Sequence, residues 1–146
     1  MELNYSERVL IALLKADKDA VNMPFHGEAL PLHKAIELKF SDNVVLASLE
    51  ANKSAAKVMS SKYPLLMAIE SKYDDSVILA LLSSYPDAAC IRNVNDILLI
   101  ECVLEMNYSD NIIVELLIAM VNRSDLSKSN SILLKTIVRE KGRIWY

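Results

Sequence analysis

The sequence predicts an all-α fold, a helical repeat solenoid of about four helix pairs, and three observations carry that reading. First, the 146 residues are 53 % hydrophobic with only 2 Gly and 4 Pro. An ordinary sheet protein of this length needs more turn formers, whereas Leu-, Ile- and Ala-rich segments favour helix. Second, one segment returns along the chain. PLHKAIELKFSDNVV from Pro31 recurs as PLLMAIESKYDDSVI from Pro64, as LIECVLEMNYSDNII from Leu99 and, in part, as ILLKTIVREKG from Ile132. The steps are 33, 35 and 33 residues. Third, an aromatic residue followed by a helix-capping residue stands at four equivalent places.

Each unit reads as a short helix A followed by a helix B. Helix A starts near Pro31, Pro64, Leu99 and Ile132. Proline suits a first helical position, because the N–H it lacks has no helical partner there. Helix B starts after Ser6, Ser41, Asp74 and Ser109, residue types whose side-chain oxygen accepts a bond from an orphan N–H of the first turn. The aromatic ahead of each cap is Tyr5, Phe40, Tyr73 or Tyr108, and five residues later come Leu10, Val45, Ile78 and Ile113. That is the spacing of a hydrophobic staple, so the aromatics are expected to be structural. The segment YSERVLIALL from Tyr5 matches helix B alone. The predicted organisation is therefore one repeat domain over 1–146. It has a half unit at 1–30, units at 31–63, 64–98 and 99–131, and a terminal half unit at 132–146.

Between units lie polar linkers at 17–30, 53–63, 85–97 and 122–131. Three share a small-residue element, Asp19-Ala20-Val21, Ser54-Ala55-Ala56 and Asp87-Ala88-Ala89. Extended connections at equal spacing predict projecting fingers. The front half unit suggests that the chain is a fragment or one subunit of a larger assembly. The tail Ile144-Trp145-Tyr146 would be sticky if exposed, and is expected either to fold back over the last unit, the favoured reading, or to touch a partner.

Charge and chemistry narrow the function. The net charge is −3. Residues 1–62 hold 8 basic against 8 acidic side chains, 63–122 hold only Lys72 and Arg92 against 9 acids, and 123–146 hold 6 bases against 2 acids. No basic footprint for nucleic acid runs along the body. The stretches around 97–103 and 112–121 contain Glu101 and Glu115 and are too short to span a bilayer. No signal peptide is visible, and an intracellular, cytoplasmic setting is expected. Cys90 and Cys102 lie in apolar surroundings and read as small core residues. With His26 and His33 they have no zinc-site spacing. No nucleophile and base are paired, and two glycines form no phosphate loop. The acids Asp42, Asp74, Asp75 and Asp110 sit at helix starts, where capping and the helix dipole explain them without calcium. The expectation is a protein that is not an enzyme and has no cofactor or metal.

The pattern resembles the ankyrin-repeat family. Leu30-Pro31-Leu32-His33-Lys34-Ala35 is close to the family's helix A motif, and Pro64-Leu65-Leu66-Met67-Ala68 matches it in part. Val44-Val45, Val77-Ile78 and Ile112-Ile113 fit its helix B positions, with Leu81-Leu82 and Leu116-Leu117 following. The later units are degenerate. The motif histidine is His33 once and then Leu66, Glu101 and Leu134, and the family's turn glycines are absent. The resemblance implies a histidine that ties backbone between units, and a role in binding another protein.

Candidate contact residues follow from that implication. In the fingers they are Met23, Phe25, His26 and Glu28, then Lys62, then Arg92, Asn93 and Asn95. On the outward register of helix A they are Lys34 and Met67, a register that Cys102 shares. Met23 and Phe25 are the best anchors, because a large apolar side chain in a finger has no core duty. The alternative is a scaffold or capping domain that self-assembles through the ends of the array, a homo-oligomer. Neither nucleic acid nor a membrane is an expected partner.

Overall fold

The computed structural model of the protein describes residues 5–17, 19–24 and 29–122. Among them it is all-helical. The α-helices are α1 (Tyr5–Ala16), α2 (Pro31–Glu37), α3 (Asp42–Ala51), α4 (Pro64–Glu70), α5 (Asp75–Ser84), α6 (Leu99–Glu105) and α7 (Asp110–Val121). Three 3-10 helices, Ala20–Asn22, Lys53–Lys57 and Pro86–Cys90, lie in the connections. The chain forms two compact units, Met1–Ala88 and Ala89–Tyr146. The fourth helix A expected at Ile132 and the tail Ile144-Trp145-Tyr146 lie outside the described residues.

In the first unit the helices form two layers. One holds α1, α3 and α5, with α3 packed on both neighbours, and the other holds α2 and α4, packed on each other. The pairs α2–α3 and α4–α5 join the layers. Leu32, Ile36, Val44 and Val45 meet Leu65, Ile69, Ile78 and Leu81 in a core with almost no solvent contact. Each such side chain stabilises the fold by roughly 1.5–3 kcal/mol over its exposed state. Burial of this size is what holds seven-residue helices, which are too short to persist alone. In the second unit α6 packs on α7, burying Ile100, Val103, Ile112 and Leu116.

The hairpin from helix A to helix B is built the same way three times. Lys39, Lys72 and Asn107 have φ of 55°, 57° and 59°. Their N–H groups bond back to Ile36, Ile69 and Leu104. The next residues, Phe40, Tyr73 and Tyr108, donate their N–H to the carbonyls of Ala35, Ala68 and Val103. This is a Schellman C-terminus, normally completed by glycine because a left-handed residue with a Cβ is strained. Here two lysines and an asparagine carry the strain.

The helix B starts fall where expected in three units and differ in chemistry. Ser41, Asp74 and Ser109 occupy the cap position with extended backbone, but none makes a side-chain bond to its own helix. Carbonyl oxygens close the first turns instead, with the N–H of Val44 on Ser41 and that of Val77 on Asp74. The Ser41 hydroxyl is buried without a hydrogen-bond partner among the described residues. Its backbone N–H is satisfied from 34 residues away, by Oε1 of the buried Glu7 at 3.1 Å. Asp42, which stands at the position of Glu7 one unit later, lies beside the side chain of Asp74. The acid after one cap thus reaches the cap residue of the following unit. In the first helix Tyr5 is already helical, so α1 begins ahead of the Ser6 cap that was expected.

The linkers are not fully extended. In each, the small-residue element folds as a 3-10 turn and packs inwards, burying Val21, then Ala55 and Ala56, then Ala88 and Ala89. Small side chains let the backbone come close to the layer beneath.

Candidate interaction surface

The fingers are organised by polar side chains at their bases. Asp17 Oδ1 accepts the N–H groups of Asp19 and Ala20, at 3.0 and 3.1 Å, and starts the first 3-10 turn. Asn52 Nδ2 donates to Asn22 Oδ1 at 2.9 Å and joins the first finger to the second. His33, only 1 % exposed, fixes the second. Its Nδ1 accepts the Leu30 N–H at 3.1 Å, so Nε2 carries the ring proton and donates to the Val58 carbonyl at 2.7 Å. One ring therefore closes the start of its own helix A and anchors the next finger.

A second anchor is aromatic. The Tyr73 hydroxyl donates to the Phe40 carbonyl at 2.7 Å and to Ala35 at 3.3 Å, tying one hairpin to the hairpin before it. Burial, and then the charge of Asp42, push the Tyr73 hydroxyl up to about 12. Asp42 is itself raised above its ordinary range by burial, then by its bond to Asp74 and the like charge there.

The third finger, in the second unit, is a tight antiparallel loop bridged at Arg92 and Leu98. Asn93 Oδ1 accepts the N–H groups of Asn95 and Ile97 at 2.9 and 3.1 Å. Arg92 Nη1 donates to the Asp96 carbonyl at 2.7 Å.

These contacts sort the expected binding residues. Met23, just after the first 3-10 turn, is 67 % exposed. Phe25, His26 and Glu28 lie outside the described residues. Lys34 pairs with Glu37 and Lys62 with Glu70, each at 2.5 Å. Met67 is half-buried. Arg92 is exposed but turned onto its own loop, Asn93 builds that loop, and Asn95 is exposed on it. Cys102 is buried at 8 %, in keeping with its reading as a small core residue and against the outward register it shares with Lys34 and Met67. Its thiol lies 3.6 Å from Asn93 Nδ2 under the finger, so its register does not face solvent.

Two features were not anticipated. Met59 in the second finger is 50 % exposed, a second apolar tip beside Met23 in kind, and Val94 in the third is 83 % exposed. A search for any large apolar residue within each linker would have found them. The other is an apolar groove of about 280 Å³ in the first unit, lined by Leu10 and Leu14 of α1, Pro31, Lys34, Ala35 and Leu38 along α2, Phe40, and Ser48 of α3. Pattern reading hides it, since Leu10 and Leu14 stand at core positions of helix B. Among the described residues no helix is long and apolar enough to cross a membrane. Compared with known proteins, the chain matches no family model, no curated protein and no solved structure.

Proposed function

We propose that the protein is an ankyrin-type repeat array that binds another protein through its finger tips and the outer face of helix A, in an intracellular setting, as a binding module and not a catalyst. The observation that carries this reading is the contrast within each finger. The bases are ordered by hydrogen bonds, while Met23, Met59 and Val94 are exposed to solvent. Large apolar side chains held out on ordered supports are an interface feature, and methionine adapts to varied partner surfaces. His33 supports the ankyrin assignment, because it makes the tie between units that the resemblance implies.

The test is a binding measurement on a partner identified by cross-linking through the fingers. The double variant Met23→Ser with Met59→Ser should weaken that partner at least tenfold, with an unchanged melting temperature, since neither residue is in the core. An unchanged Kd removes the fingers as the site.

A further inference from the structure

We propose that the groove beside α1 is an interface between copies of this chain, filled by residues 132–138 of a second copy lying in the place of a helix A. The inference is independent of the finger reading, and either can fail alone.

The internal repeat provides the control. In α3 the helix B positions Val44, Val45, Ser48 and Leu49 are at most 4 % exposed, and in α5 their equivalents Val77, Ile78, Leu81 and Leu82 are at most 5 % exposed. In both cases a helix A packs against them, α2 on α3 and α4 on α5. The same four positions of α1 are Val9, Leu10, Leu13 and Leu14. Leu14 is 7 % exposed because it faces α3, but Val9 is 42 % and Leu13 is 60 % exposed. One register therefore gives a dry core where a helix A lies on it and, where none does among the described residues, an exposed Val9 and Leu13 beside the groove-lining Leu10 and Leu14.

The opposite wall of the groove comes from α2 and the residue after it. Pro31, Lys34, Ala35 and Leu38 follow helical spacing along one flank of α2, with Leu38 63 % exposed. Their equivalents in α4, Pro64, Met67, Ala68 and Ser71, belong to a helix that packs on α2. An occupant of the groove continues this established stacking of the helix A layer by one step.

The occupant must offer what helix A buries. In α2 those residues are Leu32, His33, Ala35 and Ile36, and in α4 they are Leu65, Leu66, Ala68 and Ile69. Counted from Ile132, the same positions hold Leu133, Leu134, Thr136 and Ile137. The chain thus carries the segment that fits its own uncovered helix B. Head and tail are different surfaces, so the contact is heterologous and repeats from copy to copy.

Sedimentation equilibrium of the full chain over a wide concentration range tests this. The mean mass should rise with concentration. Leu13→Glu, at an exposed position, and Ile137→Glu should each give a monomer with unchanged helicity. An equimolar mixture should restore a dimer, because the intact tail of the first variant meets the intact head of the second. A labelled peptide of residues 130–142 should bind the Ile137→Glu chain and bind the Leu13→Glu chain at least tenfold more weakly. That arm decides the question even if Ile137→Glu alters folding elsewhere, with Thr136→Arg as its replacement. A wild-type chain that stays monomeric and binds no peptide overturns the proposal. So does a mixture that stays monomeric while the peptide fails to discriminate, or self-association untouched by Leu13→Glu.

Discussion

Replacing Tyr73 with phenylalanine removes one oxygen and tests how neighbouring hairpins are joined. The lost hydroxyl donates to the Phe40 carbonyl at 2.7 Å and more weakly to Ala35 at 3.3 Å. Ala35 keeps the N–H of Phe40 as a partner, so one acceptor, the Phe40 carbonyl, loses its bond. A neutral hydrogen bond contributes about 0.5–1.5 kcal/mol, and a buried orphaned acceptor adds to the loss. Tyr73→Phe should therefore cost about 1–2 kcal/mol at pH 7. The pH dependence sharpens the test. The hydroxyl titrates near 10 in an unfolded chain and at about 12 in the fold. Its contribution is complete below pH 10 and is lost as pH rises through 12, because only the unfolded chain ionises easily between them. That gap corresponds to at most about 2.7 kcal/mol, and about 1–2 kcal/mol after solvent screening of Asp42. Urea unfolding followed by helical circular dichroism at pH 7, 9 and 11.5 should show the variant less stable at the first two and close to wild type at the third. A gap that is the same at all three values refutes both the hydrogen bond and the burial argument.

Three further changes probe the same joints. Lys72→Gly should stabilise by about 0.5–1 kcal/mol in thermal or urea melts, because glycine accepts φ of 57° without strain while the Schellman bonds stay; destabilisation would show that the lysine side chain has another duty. Ser41→Ala should be neutral or stabilising by up to about 1 kcal/mol, since it removes a buried hydroxyl that has no partner. A working cap would give the opposite sign, a loss of about 1 kcal/mol. His33→Ala should destabilise by about 2–4 kcal/mol, orphaning the Leu30 N–H and the Val58 carbonyl in the interior, and should speed amide hydrogen exchange in the second finger. An exchange pattern that speeds only at the start of α2 would separate the two bonds and reject the anchoring role.

Part of the candidate surface was legible and part was not. The exposure of Met23 could be read from its place in a linker, which has no core to receive it. Lys62, Arg92 and Asn93 looked like contact residues, yet each is engaged within the fold. Composition marks a polar residue in a loop as available, but it does not reveal whether the loop itself needs that donor or acceptor. The outward register of Cys102 failed for a related reason. The outward register of helix A holds only where nothing lies above it, and there the third finger does.

The sequence by itself determined the helix pairs. Proline at N1, the aromatic–cap step and apolar spacing act within one or two turns, so they are visible in any window of a dozen residues. The repeat also determined that equivalent residues play equivalent backbone parts, as the three left-handed turns at Lys39, Lys72 and Asn107 show. Only the tertiary structure decided which atoms meet. Glu7 on Ser41, His33 on Val58 and Tyr73 on Phe40 join residues 34, 25 and 33 positions apart, and those partners depend on the stacking of whole hairpins. It also decided that Leu13 and Leu81, equals in pattern, have opposite fates. Burial depends on the neighbour that covers a face, and an apolar stripe specifies a face to be covered without naming what covers it.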